Sequence, residues 1–137
     1  MSNAIILIAR ILLSFMFILS GFMKLTDPAG TAGMIAGAGL PAATLLAYVA
    51  GLFELLAGLA VLTGFQVRIA GWLLAAFCVF TGLAFHLPYA NGTELVNILN
   101  QIMVMKNITL AGAYILLATV GAGAYSIDAR RGAHAAA

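Results

Sequence analysis

AIILIARILLSFMFILSGFMKL, residues 4–25, is a continuous apolar run interrupted by Arg10, Ser14, Ser20, Gly21 and, near its end, Lys24. At about 1.5 Å of rise per residue, a helix of this length crosses the roughly 30 Å hydrocarbon core of a bilayer. Apolar residues here do not alternate with polar ones, so the run is not a barrel strand, and a chain of 137 residues could not supply the strands of a closed barrel with runs of this kind. No basic stretch precedes the run, which reads against a cleaved signal peptide.

Three similar runs follow, at about residues 42–62, 69–87 and 102–125. Composition agrees with them. The chain is 64% hydrophobic and 7% charged, against about 25% charged in soluble domains, which leaves too little polar surface for a water-soluble fold. The expected fold is an all-α integral membrane protein, a four-transmembrane-helix bundle forming a single domain over residues 1–137, with 126–137 as a cytoplasmic tail. The formal charge of +2, without a basic face, excludes nucleic acid as a partner. A single cysteine, Cys78, rules out an intramolecular disulfide, a CxxC pair or a thiolate cluster and reads as a small core residue.

The connections have their own signals. Asp27-Pro28 ends the first helix, and Pro41 suits the first turn of the second. The Gly-rich stretch between them, with Gly33 and Gly37 at GxxxG spacing, is too short to span and reads as a re-entrant or surface segment. Gly64-Phe65-Gln66 is a tight turn that makes the second and third helices antiparallel neighbours. After Pro88 and Asn91-Gly92, Thr93 is a plausible N-cap for an amphipathic surface segment before the fourth helix, with Leu95, Ile98, Leu99 and Ile102 on one side. Tyr48, Trp72, Tyr89 and Tyr125, near helix ends, suit an interfacial aromatic belt. The amino terminus, Arg68 and Arg130-Arg131 share one side of the membrane, so the positive-inside rule puts both termini in the cytoplasm.

Charges inside the runs need partners. Arg10, Ser14, Gly21 and Lys24 share one stripe of the first helix. On the second, Ala47, Ala50, Gly51, Ala57 and Gly58 form a small-residue face around Glu54. Arg10 lies roughly 9 Å from the start of its helix and Glu54 roughly 13 Å from the end of the next. That predicts a buried Arg10–Glu54 ion pair, structural or functional, with Asp128 as a competing or third partner for Arg10. A second cluster lies on the opposite side: Lys24, His86, Lys106 and Asn107, with Asn107, Tyr114, Gly121 and Tyr125 on one stripe of the fourth helix. Lys24 and Lys106 serve there as snorkelling anchors or as a site, and His86 as a structural residue or a ligand-facing one. The four together suggest a cationic, hydrogen-bonding vestibule able to receive an anion or a quinone carbonyl. With His86 and His134 as its only histidines, the chain has no bis-histidine haem site within one subunit and no metal-ligand or nucleotide-loop spacing.

The order of these elements resembles the DoxX family of small bacterial inner-membrane proteins, especially its YphA-type members. The resemblance rests on Ala9-Arg10-Ile11, Ser20-Gly21-Phe22-Met23-Lys24-Leu25, Gly39-Leu40-Pro41, Phe53-Glu54-Leu55, Leu62-Thr63-Gly64-Phe65, Arg68, His86, Met105-Lys106-Asn107, Gly121-Ala122-Gly123 and Ser126-Ile127-Asp128. It implies a multi-pass protein of the bacterial inner membrane. Through members labelled oxidoreductase or quinol-oxidase-associated, it also implies a membrane subunit or accessory protein of a quinone-linked redox system. Such a chain has no intrinsic cofactor and takes a bound quinone or lipid. Its expected partners are the bilayer, a redox partner protein and further copies of itself as a homo-oligomer. A small oligomeric transporter or channel subunit, and a non-catalytic scaffold for a partner enzyme, are the competing functions.

Overall fold

The computed structural model describes residues 2–135, with side chains described as far as Gly132. Six α-helices follow one another: α1 Asn3–Thr26, α2 Ala29–Gly37, α3 Ala43–Thr63, α4 Val67–Thr81, α5 Leu95–Val120 and α6 Ile127–Ala135. A π-helical turn, Gly82–His86, and a 3-10 turn, Leu87–Tyr89, extend α4. Among the described residues there is no strand. Four segments, α1, α3, α4 with its extension to Tyr89, and α5, are long and apolar enough to cross a membrane. Their outward faces carry large apolar side chains, as lipid contact requires, and Tyr48, Trp72, Tyr89 and Tyr125 are all exposed.

The bundle is two tight pairs, α1 on α3 and α4 on α5. Small residues set the first pair. A Cβ added at Gly21 would lie 2.5 Å from the Leu55 backbone nitrogen and 2.7 Å from the Gly51 carbonyl, and one at Gly58 would lie 2.9 Å from Ile18. The backbones touch, which is how helices pack where lipid removes the hydrophobic drive. In the second pair, Gly71 lies against the Tyr114 carbonyl and Ala118. Phe17, Leu74 and Tyr114 fill the space between the pairs, with the Phe17 and Tyr114 rings 5.5 Å apart and edge to face.

The Gly-rich stretch is too short to span, as expected: it is a helix, α2, about 14 Å long, that buries Ile35 and packs on α3. No helix packs closely into its GxxxG spacing, since a Cβ added at Gly33 would meet nothing within 4 Å. At Pro41 and Thr93 the connections depart from the sequence expectation. Pro41 precedes α3 instead of entering its first turn, because Ala42 takes a left-handed conformation (φ 51°) before the helix begins. Finally, Thr93 is not a cap and no separate amphipathic segment precedes the last crossing: α5 runs unbroken from Leu95, with Glu94 at its N-cap. It also stops early, at Val120. Gly121 (φ 87°) and Gly123 (φ 72°) turn the chain away, so residues 121–126 are irregular although apolar. The tail expected from residue 126 is largely helix α6, and His134 lies outside the residues whose side chains are described.

Candidate functional site

Two ends of the bundle hold its polar residues, and they are built differently. At the end where α1 begins, Arg10 is 1% exposed. Its Nε donates to the Val61 carbonyl (2.9 Å), its Nη2 to Leu62 (2.8 Å), and its Nη1 to Ala122 (2.6 Å) and Tyr125 (2.9 Å). Val61 and Leu62 lie in the last turn of α3, where carbonyls have acceptor capacity to spare and the helix dipole is negative; Val61 also accepts from the Gly64 N–H at 3.3 Å. The irregular strap 121–126 supplies the other two acceptors. Gly64 is bare because a Cβ there would strike Ser126 and crowd the guanidinium.

The predicted Arg10–Glu54 ion pair therefore does not form. The reason is register. Ile18 lies beside Gly58, so the ends of α1 and α3 are not flush: Arg10 is about 12 Å beyond that contact, while α3 runs on for only about 7 Å. Glu54 lies on the other side of the contact. Asp128 is not a partner of Arg10 either; its carboxylate accepts from the backbone N–H groups of Gln66 (2.8 Å) and Val67 (3.0 Å), capping α4 from a distance in sequence. Arg68 serves the C-terminus of α5 as Arg10 serves that of α3, donating to the Ala118 and Thr119 carbonyls at 3.4 and 3.3 Å. A cleft of about 430 Å³ lies here, lined by Arg68, Gly121, Ser126 and Asp128 among others, but its charged groups are engaged by backbone.

At the opposite end Glu54, 3% exposed, receives Lys24. The Nζ to Oε2 distance is 2.9 Å, and the same ammonium donates to Ser20 Oγ at 2.6 Å. Helix side chains leave the backbone tilted toward the N-terminus, so Lys24, near the end of α1, aims back into the bundle. It is not a snorkelling anchor. His86 ends the π-helical turn, a distortion that recurs at functional sites. Asn100 donates its Nδ2 to the Val96 carbonyl and so presents Oδ1 to His86 Nδ1 at 2.9 Å. Nδ1 must then carry the proton in the neutral ring, leaving Nε2 as the acceptor. Asn107 is buried against Gly82, whose missing side chain makes room for it.

Lys24, Glu54, His86, Lys106 and Asn107 all border one cavity of about 780 Å³. Most of the rest of its wall is apolar, with Phe17, Phe53, Phe77, Phe80 and Phe85 most prominent, and α2 roofs it through Thr31, Met34 and Ile35. Val49 on α3 and Leu73 and Phe80 on α4 line it and are still about half exposed, so the cavity opens sideways where α3 and α4 diverge. Thus the four residues of the second cluster are brought together, and Glu54 joins them instead of Arg10. Sequence reasoning missed the aromatic wall, Ser20 and Thr81. Ser20 had a signal, four residues before Lys24 on the side toward which a helical lysine leans; the phenylalanines had none, since lipid-facing and cavity-facing rings look alike in sequence.

An apolar four-crossing bundle enclosing a largely apolar, side-opening cavity with a few charged and polar groups on its wall defines a small multi-pass membrane protein. The chain belongs to the DoxX family, whose pattern matches residues 5–87. It is 40% identical over 123 residues to Inner membrane protein YqjF of Escherichia coli K12, covering 90% of this chain and 88% of that one. To Inner membrane protein YphA of the same organism it is 34% identical over 126 residues, covering 92% and 89%. No solved structure matches it. It is thus a DoxX-family inner-membrane protein.

Proposed function

We propose that this protein is the quinone-holding membrane subunit of a redox system whose electrons are handled by a partner protein. The observation that carries this is the shared cavity, about 780 Å³, within the range of about 300–1,000 Å³ typical of small-molecule sites. Its residues fit a quinone. Lys106 and Asn107 supply hydrogen-bond donors for a ring carbonyl, His86 Nε2 supplies an acceptor for a quinol hydroxyl, and the phenylalanines offer an apolar bed for ring and tail. The sideways opening suits a ligand that arrives dissolved in the bilayer. A bound quinone would supply the two-electron chemistry, and this chain's residues would hold and orient its head group and exclude water. With one cysteine and two histidines, one of them in the tail, the chain builds neither a thiolate cluster nor a bis-histidine haem site within one subunit, which is why a redox partner belongs to the reading. With both termini in the cytoplasm, as the basic residues Arg68, Arg130 and Arg131 favour, the cavity serves the periplasmic half of the membrane.

The test is extraction of lipids from protein purified in mild detergent, with quinone measured by mass spectrometry. Quinone should copurify near one per chain and fall sharply in Lys106→Ala and Glu54→Gln. A folded wild-type sample that neither retains nor rebinds quinone defeats the reading.

A further inference from the structure

The charges around the cavity do not cancel. The chain has four acidic residues. Glu54 is held by Lys24, Asp128 caps α4, and Asp27 Oδ1 accepts from the Ala29 N–H. Glu94, the fourth, is exposed at the start of α5, about 18 Å along the helix from Lys106. Lys106 lines the same cavity, half-buried, and among the described residues no carboxylate lies within ion-pair distance of it. Arg10 and Arg68 show how this fold satisfies a cation without a carboxylate, by backbone carbonyls at a helix C-terminus. Lys106 sits in the middle of α5, where carbonyls are bonded within the helix, and among the described residues no side chain or backbone group bonds its ammonium. A cation bordering an apolar chamber inside a bilayer calls for an anion from outside the chain.

We propose that the cavity binds a single-chain amphiphile with a monoanionic head, a free long-chain carboxylate, with Lys106 as its counter-ion. The head group lies among Lys106, Asn107 and the Lys24–Glu54 pair, which is neutral as a unit. The chain lies along Phe53, Phe77 and Phe80 and leaves between α3 and α4. A carboxylate answers both features at once, one negative charge and a long apolar tail. The inference goes beyond the quinone reading and does not depend on it, because quinone is neutral and leaves the charge unmatched.

The test is equilibrium binding to the full-length protein in nanodiscs of zwitterionic phosphatidylcholine, by displacement of a fluorescent fatty acid. Palmitate and hexadecanesulfonate are compared with hexadecanol, which shares the chain and lacks the charge, and with phosphatidylglycerol. The anions should bind about 10- to 100-fold more tightly than the alcohol, as expected for a charge-assisted contact away from water. Lys106→Gln should erase that preference, and Lys106→Arg should keep it. Equal binding of anion and alcohol by the wild type overturns the proposal, and needs no variant to fold. An anion preference unchanged in Lys106→Gln overturns it as well, and preferential retention of phosphatidylglycerol over palmitate overturns the carboxylate assignment. Quinone retention measured on the same preparations is a separate readout, so either reading can fail alone.

Discussion

Arg10 and Lys24 lie on one face of α1, about 21 Å apart along its axis, and the fold treats the two cations in opposite ways. Arg10 is enclosed: four carbonyls from α3 and the strap after α5 accept from its fixed, planar donor fork, and the side chain is buried. Those acceptors are backbone, so they neither titrate nor swing away. Lys24 has a carboxylate and a hydroxyl as partners, keeps part of its side chain exposed, and borders a cavity holding a further, unmatched lysine. A buried charge in a membrane protein is thus not a functional sign by itself. What separates a staple from a site is whether the chain alone satisfies the charge.

The contrast breaks most visibly at Arg10. Arg10→Met should remove the donor that the Val61, Leu62, Ala122 and Tyr125 carbonyls share, at about 1–3 kcal/mol for each acceptor left buried without a partner; Val61 keeps the Gly64 N–H. The expected outcome is a loss of about 3 kcal/mol or more, or failure to accumulate in membranes, read by thermal unfolding in detergent and by the folded yield. A variant as stable as the wild type would mean that water or lipid replaces the guanidinium, and the end would not be closed.

Next in size is a substitution that loosens the Lys24 end alone. Gly21→Ala places a methyl 2.5 Å from the Leu55 nitrogen and 2.7 Å from the Gly51 carbonyl, and both obstacles are backbone, so α1 and α3 must separate. Overpacking of this kind costs about 1–3 kcal/mol. The same shift should lengthen the Lys24–Glu54 contact and lower ligand retention while Arg10 keeps its acceptors. Unaltered ligand retention in a destabilised Gly21→Ala would detach the cavity from the helix contact beside it.

Much of this was legible in sequence. The crossings follow from apolar run length, the α1 stripe of Arg10, Ser14 and Gly21 is buried as 3.6-residue periodicity requires, and the small-residue face of α3 around Glu54 is the contact face. The places of Lys24, His86, Lys106 and Asn107 in their runs put all four at one end of the bundle, where they line one cavity. The partner of Arg10 was not legible, because its acceptors are carbonyls, which every residue carries and no side chain advertises. The offset between α1 and α3 was hidden for a related reason: it is set where Gly21 and Gly58 allow backbones to touch, not by where each apolar run stops. Gly121 concealed the end of α5, since apolar residues continue to Tyr125 while the positive φ has already turned the chain. The role of Asp128 depends on that same turn. Asp128→Ala should cost about 1–2 kcal/mol, the usual worth of an N-cap, and should raise hydrogen exchange at Val67 and the first turn of α4 without changing the cavity. Exchange raised instead around Arg10 would restore Asp128 as that residue's partner.

The smallest expected effect bears hardest on the comparison. If the two ends are independent, a double-mutant cycle of Arg10→Lys with Glu54→Gln should be additive to within about 0.5 kcal/mol, as for sites more than about 10 Å apart with no shared partner. Arg10→Lys is chosen because it keeps the charge and removes the fork, so the protein remains foldable enough to measure. The parallel cycle of Lys24→Met with Glu54→Gln should show a coupling of about 1 kcal/mol, held to that size by the solvent-accessible part of the lysine. Glu54→Gln alone should then be milder than loss of a fully enclosed pair, because a released Lys24 is near enough to its helix end to turn toward the surface. A near-zero first cycle with a positive second one assigns Glu54 to the cavity and Arg10 to the scaffold. The reverse pattern would return Glu54 to Arg10 and leave Lys24, like Lys106, in need of an anion from outside.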